Sequence, residues 1–340
     1  MVHLSPGGIL VAISSLCSVV LVVGELFIYI YIWLPWWLLF ILNMKVYYYD
    51  VKSVKIDNHL TRYWGNRLIY HTGIEVVDDV SECDYVVMRK TYTSNDPVLI
   101  IRVCEELNAY SDGHGKQFVY FLHDDPDGDM GECVEGGIIF RTSYNRSMGR
   151  INEYCMPSFF PEDLGMDMMR VIDDVVVPSV GFCGNVSHQV RLDAYNALMR
   201  RGVIKLNVVF RDHLHYVCSF TEIKRNRKEF LDVMGGSVYQ LCCRGGGNFS
   251  HRFYETLASG RIPVLIDTDI PLPDIGEDWN NYIVMVTDVN KLVNKLMEWH
   301  NNHDVMDMQV RCRRLWEDRL SFKGFSKTVG SILLNNLKKN

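Results

Sequence analysis

The sequence predicts an α/β protein: two Rossmann-like domains in succession, preceded by an N-terminal transmembrane helix. Three observations predict it. Gly7 to Leu42 holds a single charged residue, Glu25, and about 20 apolar residues suffice for a helix to cross a bilayer. From Met44 onward, short runs of β-branched and aromatic residues alternate with helical patterns, as in parallel sheets joined by helical crossovers. Two of these runs end in glycine and feed a helix, one near Ser179–Gly184 and one near Val238–Gly247. A strand, a glycine turn and a helix form the entry of a Rossmann-like unit.

The 340 residues suffice for about two domains. The net charge of −6 gives no general attraction to nucleic acid, so no nucleic-acid partner is expected. The expected division is a membrane anchor over 1–43, a first domain over 44–165, a linker over 166–178, a second domain over 179–325 and a terminal helix over 326–340. Residues 9–42 are expected to meet lipid, either as one tilted span near 9–31 or as a hairpin broken near Glu25. Trp33, Trp36 and Trp37 suit the membrane interface, and Pro35 a kink. Lys45, Lys52 and Lys55 follow the run, with no Lys or Arg before it, which on the positive-inside rule places the remaining chain in the cytoplasm.

In chain order, Met44–Val51 reads as a strand. Leu68–Val80 and Tyr85–Arg89 read as β-type runs, and Val98–Leu107 as a helix. Gln117–Leu122 is a buried-type strand that ends in His123-Asp124, and polar groups at the C-terminal end of such a strand are where α/β proteins place chemistry. Asp125, Asp127 and Asp129 have the spacing that opens a calcium loop, but Met130 stands where glycine is needed and Gly136 where a bidentate Glu is needed. Asp127-Gly-Asp129 reads as a solvated turn, and Asp267-Thr-Asp269 as the end of a strand. Nine of the ten cysteines follow the apolar run, scattered and without a Cys-x-x-Cys pair, so no zinc site and no other metal site is expected. After Pro157–Pro178, Ser179–Gly184 is a strand, and the next helix buries Val190, Ala194, Ala197 and Leu198. Ile204–Phe210 and Ile283–Val286 are strands. Thr221–Met234, Val289–His300, Val305–Leu320 and Phe325–Leu337 are helices.

Ser237–Asp267 carries the chemistry. Gly245, Gly246 and Gly247 let the backbone pass close to a ligand. Asn248 lies in this loop, where a glycan on its Asn-x-Ser sequon would block the ligand. Ser250 stands where it can cap the next helix, and Gly260 ends that helix. A helix N-terminus behind a glycine loop attracts anions. Arg244 and Arg252 flank it with groups that match phosphate oxygens, and Glu255 lies one turn beyond Arg252. The stretch is built to hold a phosphorylated ligand with hydroxyls nearby.

Arg244-Gly-Gly-Gly, Ser250-His-Arg-Phe-Tyr-Glu255 and Ala258-Ser-Gly-Arg-Ile-Pro-Val264 resemble the C-terminal signature of the exostosin-type glycosyltransferases. Cys243 replaces that family's usual Pro. The resemblance is strong over Ser237–Asp267 and weak elsewhere. It implies the GT-B fold, with two Rossmann-like domains facing a cleft, and an inverting sugar transfer from a nucleotide-diphosphate sugar to a glycan or glycoprotein acceptor, without a metal or cofactor. It implies donor binding by Arg244, Gly245, Gly246, Asn248, Ser250, Arg252 and Glu255, with Arg191 reaching the diphosphate from the opposite side. It implies an acceptor-side base at His123 or Asp124. It also implies a Golgi-lumen orientation, opposite to that read from the lysines. A fucosyltransferase-like GT-B enzyme and a non-catalytic membrane-tethered glycan- or nucleotide-binding protein are the alternatives.

Overall fold

The structure is a computed structural model. It describes residues 10–14, 18–23, 26–30, 44–52, 61–62, 64–89, 91–92, 97–123, 136–160, 167, 169–173, 175–200, 202–211 and 220–338. Asp124, the Asp127–Asp129 turn, and His213 and His215 lie outside them. Where a membrane helix was expected, the backbone of Leu10–Ser14, Ser18–Val23 and Leu26–Ile30 pairs as three antiparallel strands. Among the described residues, no helix is long and apolar enough to cross a membrane.

The first large sheet has six strands: β1 (Lys45–Tyr49), β2 (Glu75–Val77), β3 (Tyr85–Met88), β4 (Gln117–Leu122), β5 (Gly137–Arg141) and β6 (Glu153–Cys155). Their order is β2-β1-β3-β4-β5-β6, and every pairing is parallel. Parallel sheets are covered on both faces, so their strands are apolar throughout. The faces sort by the two-residue period. Tyr85, Val87, Val119 and Phe121 pack with α1 (Trp64–Thr72) and with α8 (Phe322–Leu337), the last helix of the chain. Val86, Met88, Phe118, Tyr120 and Leu122 pack with α2 (Pro97–Gly113). Gly137 is required beside Phe118, because a Cβ there would lie 2.3 Å from that ring.

The second sheet has five strands: β7 (Ser179–Asn185), β8 (Lys205–Arg211), β9 (Tyr239–Cys242), β10 (Ile262–Ile266) and β11 (Val284–Val286). The order is β8-β7-β9-β10-β11, again wholly parallel. The connecting helices are α3 (Gln189–Met199), α4 (Phe220–Gly235), α5 (His251–Ala258), α6 (Leu292–Asn302) and α7 (Val305–Leu315). A π-helical turn, Trp316–Leu320, leads from α7 into α8. Helix α8 thus packs back on the first unit, where the Tyr85 hydroxyl donates to the Leu333 carbonyl at 2.8 Å.

Two expectations differ from the fold. Leu68, Ile69 and Tyr70 are helical in α1, because Leu68 and Ile69 pack under α8; tertiary burial overrides a weak β propensity. Ser250 occupies the N-cap position of α5, but its side chain makes no capping bond. Gly260 does end α5 as expected, with φ +65°, the left-handed conformation that suits glycine.

The two units meet at the C-terminal ends of their strands. The loop after β5 reaches the loop after β10: Arg146 Nη2 lies 3.1 Å from Asp267 Oδ2, and Ser147 donates to Asp269 Oδ2 through its amide (3.1 Å) and its hydroxyl (2.5 Å). Asp269 holds φ +64°, and the Ser147 hydroxyl keeps its carboxyl below the usual carboxylate range.

Candidate functional site

In an open parallel sheet, ligands bind at the C-terminal strand ends where the order of connections reverses. In the second sheet that point lies between β7 and β9. The residues gathered there are Asn185 at the end of β7, Arg191 in the first turn of α3, the Cys243–Gly247 loop after β9, and Arg252 in the first turn of α5. His188 starts α3 by accepting from the Val190 amide at 3.2 Å, which fixes the turn that carries Arg191.

Two guanidinium groups lie over the ring of Phe182. Arg252 lies 4.3 Å from its ring centre and Arg191 5.9 Å. Arg191 donates to the Arg244 carbonyl (2.9 Å) and the Asn185 carbonyl (2.8 Å). Arg252 donates from Nη2 to the Cys183 carbonyl, while its Nε is buried without a partner. Among the described residues, neither is salt-bridged to a carboxylate. Burial, followed by the charge of Arg252, pushes the Arg191 pKa down to about 10. Two partly desolvated cations without a counter-ion destabilise each other, and an anion between them relieves both. Gly184 permits this packing, because a Cβ there would lie 2.8 Å from Arg252 Nη2. Gly245 abuts Arg191, since a Cβ there would lie 3.2 Å from its Nη2. Gly246 is exposed, and its carbonyl accepts from Arg244 Nη2 at 3.1 Å.

The remaining expected donor residues do other work. Asn248 is buried. Its Nδ2 donates to Asn145 Oδ1 (2.8 Å) and to the Thr268, Asp269 and Tyr144 carbonyls (3.0, 3.0 and 3.3 Å), and its Oδ1 accepts from Thr268 (2.8 Å). That side chain joins the two units and has nothing left to offer a donor or a glycan. Ser250 is buried too. The Glu255 side chain is only 14% exposed and is paired with Arg227 at 3.3 Å. Arg227 stands among Lys224, Arg225 and Lys228 on α4, and a single charge in a basic stretch gives no sign of such a pairing. Arg261, in the Gly-Arg-Ile-Pro part of the signature, is wholly internal: it donates to five acceptors, on Met234, Gly235, Gly260, Arg170 and Gln309.

His123, at the end of β4, is 9% exposed and faces the second unit. Its Nε2 lies 3.1 Å from the Ser158 hydroxyl, which lies 2.8 Å from Nδ1 of His251. Sequence reading did not single out Ser158 or His251. Ser158 lies near the end of the expected first domain with no motif around it, and His251 stands only inside the signature. The seven described cysteines are buried and form no disulfide with one another, and burial pushes the Cys242 and Cys243 thiols up to about 12. Among the described residues, no cluster of three His, Cys, Asp or Glu side chains is placed to hold a metal.

No protein-family model matches the chain, and no curated protein does. Solved structures resemble it at low identity. One is a glycosyltransferase from Rickettsia africae ESF-5, with TM-score 0.38 and 9% identity over 87% of this chain and 99% of that one. Another is Anabaena Alr3699/HepE in complex with UDP-glucose, with TM-score 0.42 and 11% identity over 87% and 100%. A third is an α-glucosyltransferase in complex with UDP and a 13-mer DNA, with TM-score 0.43 and 10% identity over 86% and 100%. The fold itself, two α/β units each built on a parallel sheet, rests on the strand pairings given above.

Proposed function

We propose that the protein is a glycosyltransferase of the GT-B type that moves a sugar from a nucleotide-diphosphate sugar to a glycan or glycoprotein acceptor. The observation that carries this reading is the pair Arg191 and Arg252, which no carboxylate among the described residues pairs with, at the point of the second sheet where the connections reverse. Two fixed guanidinium groups supply what a leaving diphosphate needs: charge stabilisation already in place before charge develops. The donor lies along Arg244, Gly245 and Gly246, with its diphosphate between Arg191 and Arg252. The acceptor enters from the first unit, on the side of the His123-Asp124 turn, where a base takes its proton as the sugar is transferred with inversion. In this reading the guanidinium groups do the work that a metal does elsewhere. The apolar stretch over 7–42 tethers the enzyme to a membrane, which suits a growing glycan as acceptor.

The test is to incubate the full chain in detergent with a panel of nucleotide sugars and to follow release of nucleoside diphosphate. One donor is expected to be turned over, slowly without acceptor. Arg252→Ala is expected to lower turnover by roughly 10²–10³-fold without loss of fold. Normal turnover by that variant would remove Arg252 from the diphosphate site, and silence of the wild type with every donor would remove the transferase reading.

A further inference from the structure

The seam between the two units holds a chain of hydrogen-bonding side chains. His123 follows β4 and Ser158 lies three residues beyond β6, both in the first unit; His251 opens α5 in the second. Ser158 is 1% exposed. Its Oγ lies 3.1 Å from His123 Nε2, 2.8 Å from His251 Nδ1 and 3.4 Å from His251 Nε2, and the two rings are 5.3 Å apart. A hydroxyl has one proton to give and lone pairs to receive with. Between two imidazoles it donates to one and accepts from the other, so the trio has a direction. One end is buried at His123; the other, His251, is exposed beside Arg252. The path spans both units, so it is complete only when the seam is closed.

We propose that this path carries the acceptor's proton during transfer, with His251 as the catalytic residue that meets the acceptor and Ser158 and His123 as positioning residues behind it. This inference rests on the glycosyltransferase reading above. The acceptor oxygen forms its bond to the anomeric carbon as the bond from that carbon to the diphosphate breaks, and the diphosphate leaves with the electron pair. The acceptor proton passes to His251 Nε2, the Nδ1 proton of His251 to Ser158 Oγ, and the Ser158 proton to His123 Nε2. The positive charge finishes on His123 rather than on His251, the residue next to Arg252 in the chain. Opening of the seam returns the proton to water.

The test is transfer kinetics on the full chain in normal and heavy water. Ser158→Ala keeps both imidazoles and breaks the path. It is expected to lower kcat roughly 10- to 100-fold, leave the donor KM unchanged, and turn a curved proton inventory (several protons in flight) into a linear one. His251→Ala is expected to lose about 10²–10⁴-fold, partly restored by added imidazole. A linear inventory in the wild type, or a Ser158→Ala enzyme with wild-type kcat, would overturn the proposal. So would equal loss of nucleoside diphosphate binding in both variants, since that marks a structural role. A wild-type chain that binds nucleoside diphosphate but transfers from no donor refutes the transferase reading itself, a different result from a working transferase indifferent to Ser158.

Discussion

Replacing Arg261 with Met is expected to destabilise the second unit while sparing the site at the ends of β7 and β9. The side chain is 1% exposed, and no carboxylate is among its hydrogen-bond partners in the described residues. It is held by the Met234 and Gly235 carbonyls at the end of α4 (3.1 and 3.2 Å), the Arg170 carbonyl (3.0 Å), Gln309 Oε1 (3.1 Å) and its neighbour Gly260 (3.2 Å). The end of a helix carries partial negative charge, so α4 stands in for the missing acid. Burial pushes the pKa down to about 10, a displacement worth roughly 3 kcal/mol against the charged form. Methionine returns that amount. It also leaves several buried acceptors without donors, at about 1–3 kcal/mol each, so the loss exceeds the gain. The net expectation is about 3–5 kcal/mol, read from the urea dependence of tryptophan fluorescence, with Arg261→Lys intermediate because an ammonium keeps the charge but cannot span the same acceptors. An Arg261→Met midpoint equal to wild type would refute this reasoning, since it would mean that water or a shifted backbone satisfies those acceptors at no cost.

The other expectations follow from the same geometry. Gly184→Ala places a methyl 2.8 Å from Arg252 Nη2; it should weaken nucleoside diphosphate binding about tenfold, a loss of about 1.4 kcal/mol, with little change in melting temperature, as calorimetry and thermal melts would show. Asn248→Ala should destabilise the chain by about 2–4 kcal/mol, because it leaves the acceptors of Asn145, Thr268 and Asp269 without their donor. Asp269→Asn should lower the melting temperature at pH 7. Because the folded carboxyl titrates below its ordinary 3.8, its stabilisation is fully present above that value and is lost as pH falls through the folded pKa. The gap between wild type and variant should therefore close in acid, and a gap unchanged at pH 3 would contradict the assignment.

Most strands of both units were legible because a parallel sheet covered on both faces writes itself as unbroken apolar runs, such as Phe118–Leu122 and Ile262–Ile266; the three-residue edge strand Glu153–Cys155 carries no such run and was not. Arg191 and Arg252 were legible because each stands in the first turn of a helix behind a glycine-ended strand. Leu68–Tyr70 misled, since three apolar residues in a row suit a strand or a buried helix equally, and the partner that decides, α8, lies more than 250 residues away. Asn248, Glu255 and Arg261 belong to the same signature as Arg252, yet their side chains turn inward, onto the Asn145 loop, Arg227 and the end of α4. A motif shows that residues serve one place in the fold; it does not show which of them face the ligand. Ser158 and His251 come together only through the closed seam, a contact between residues 93 apart that no local pattern encodes.

The most direct test of the central claim is calorimetric titration of a nucleoside diphosphate into the wild type and into the double variant Arg191→Ala, Arg252→Ala. Charge-assisted hydrogen bonds contribute about 1.5–3 kcal/mol each, so the double variant should bind roughly 10²–10⁴-fold more weakly, while the nucleoside without phosphates binds both proteins alike. Equal affinity of the two proteins for the nucleoside diphosphate would contradict the account, because the paired guanidinium groups on Phe182 would then hold no phosphate.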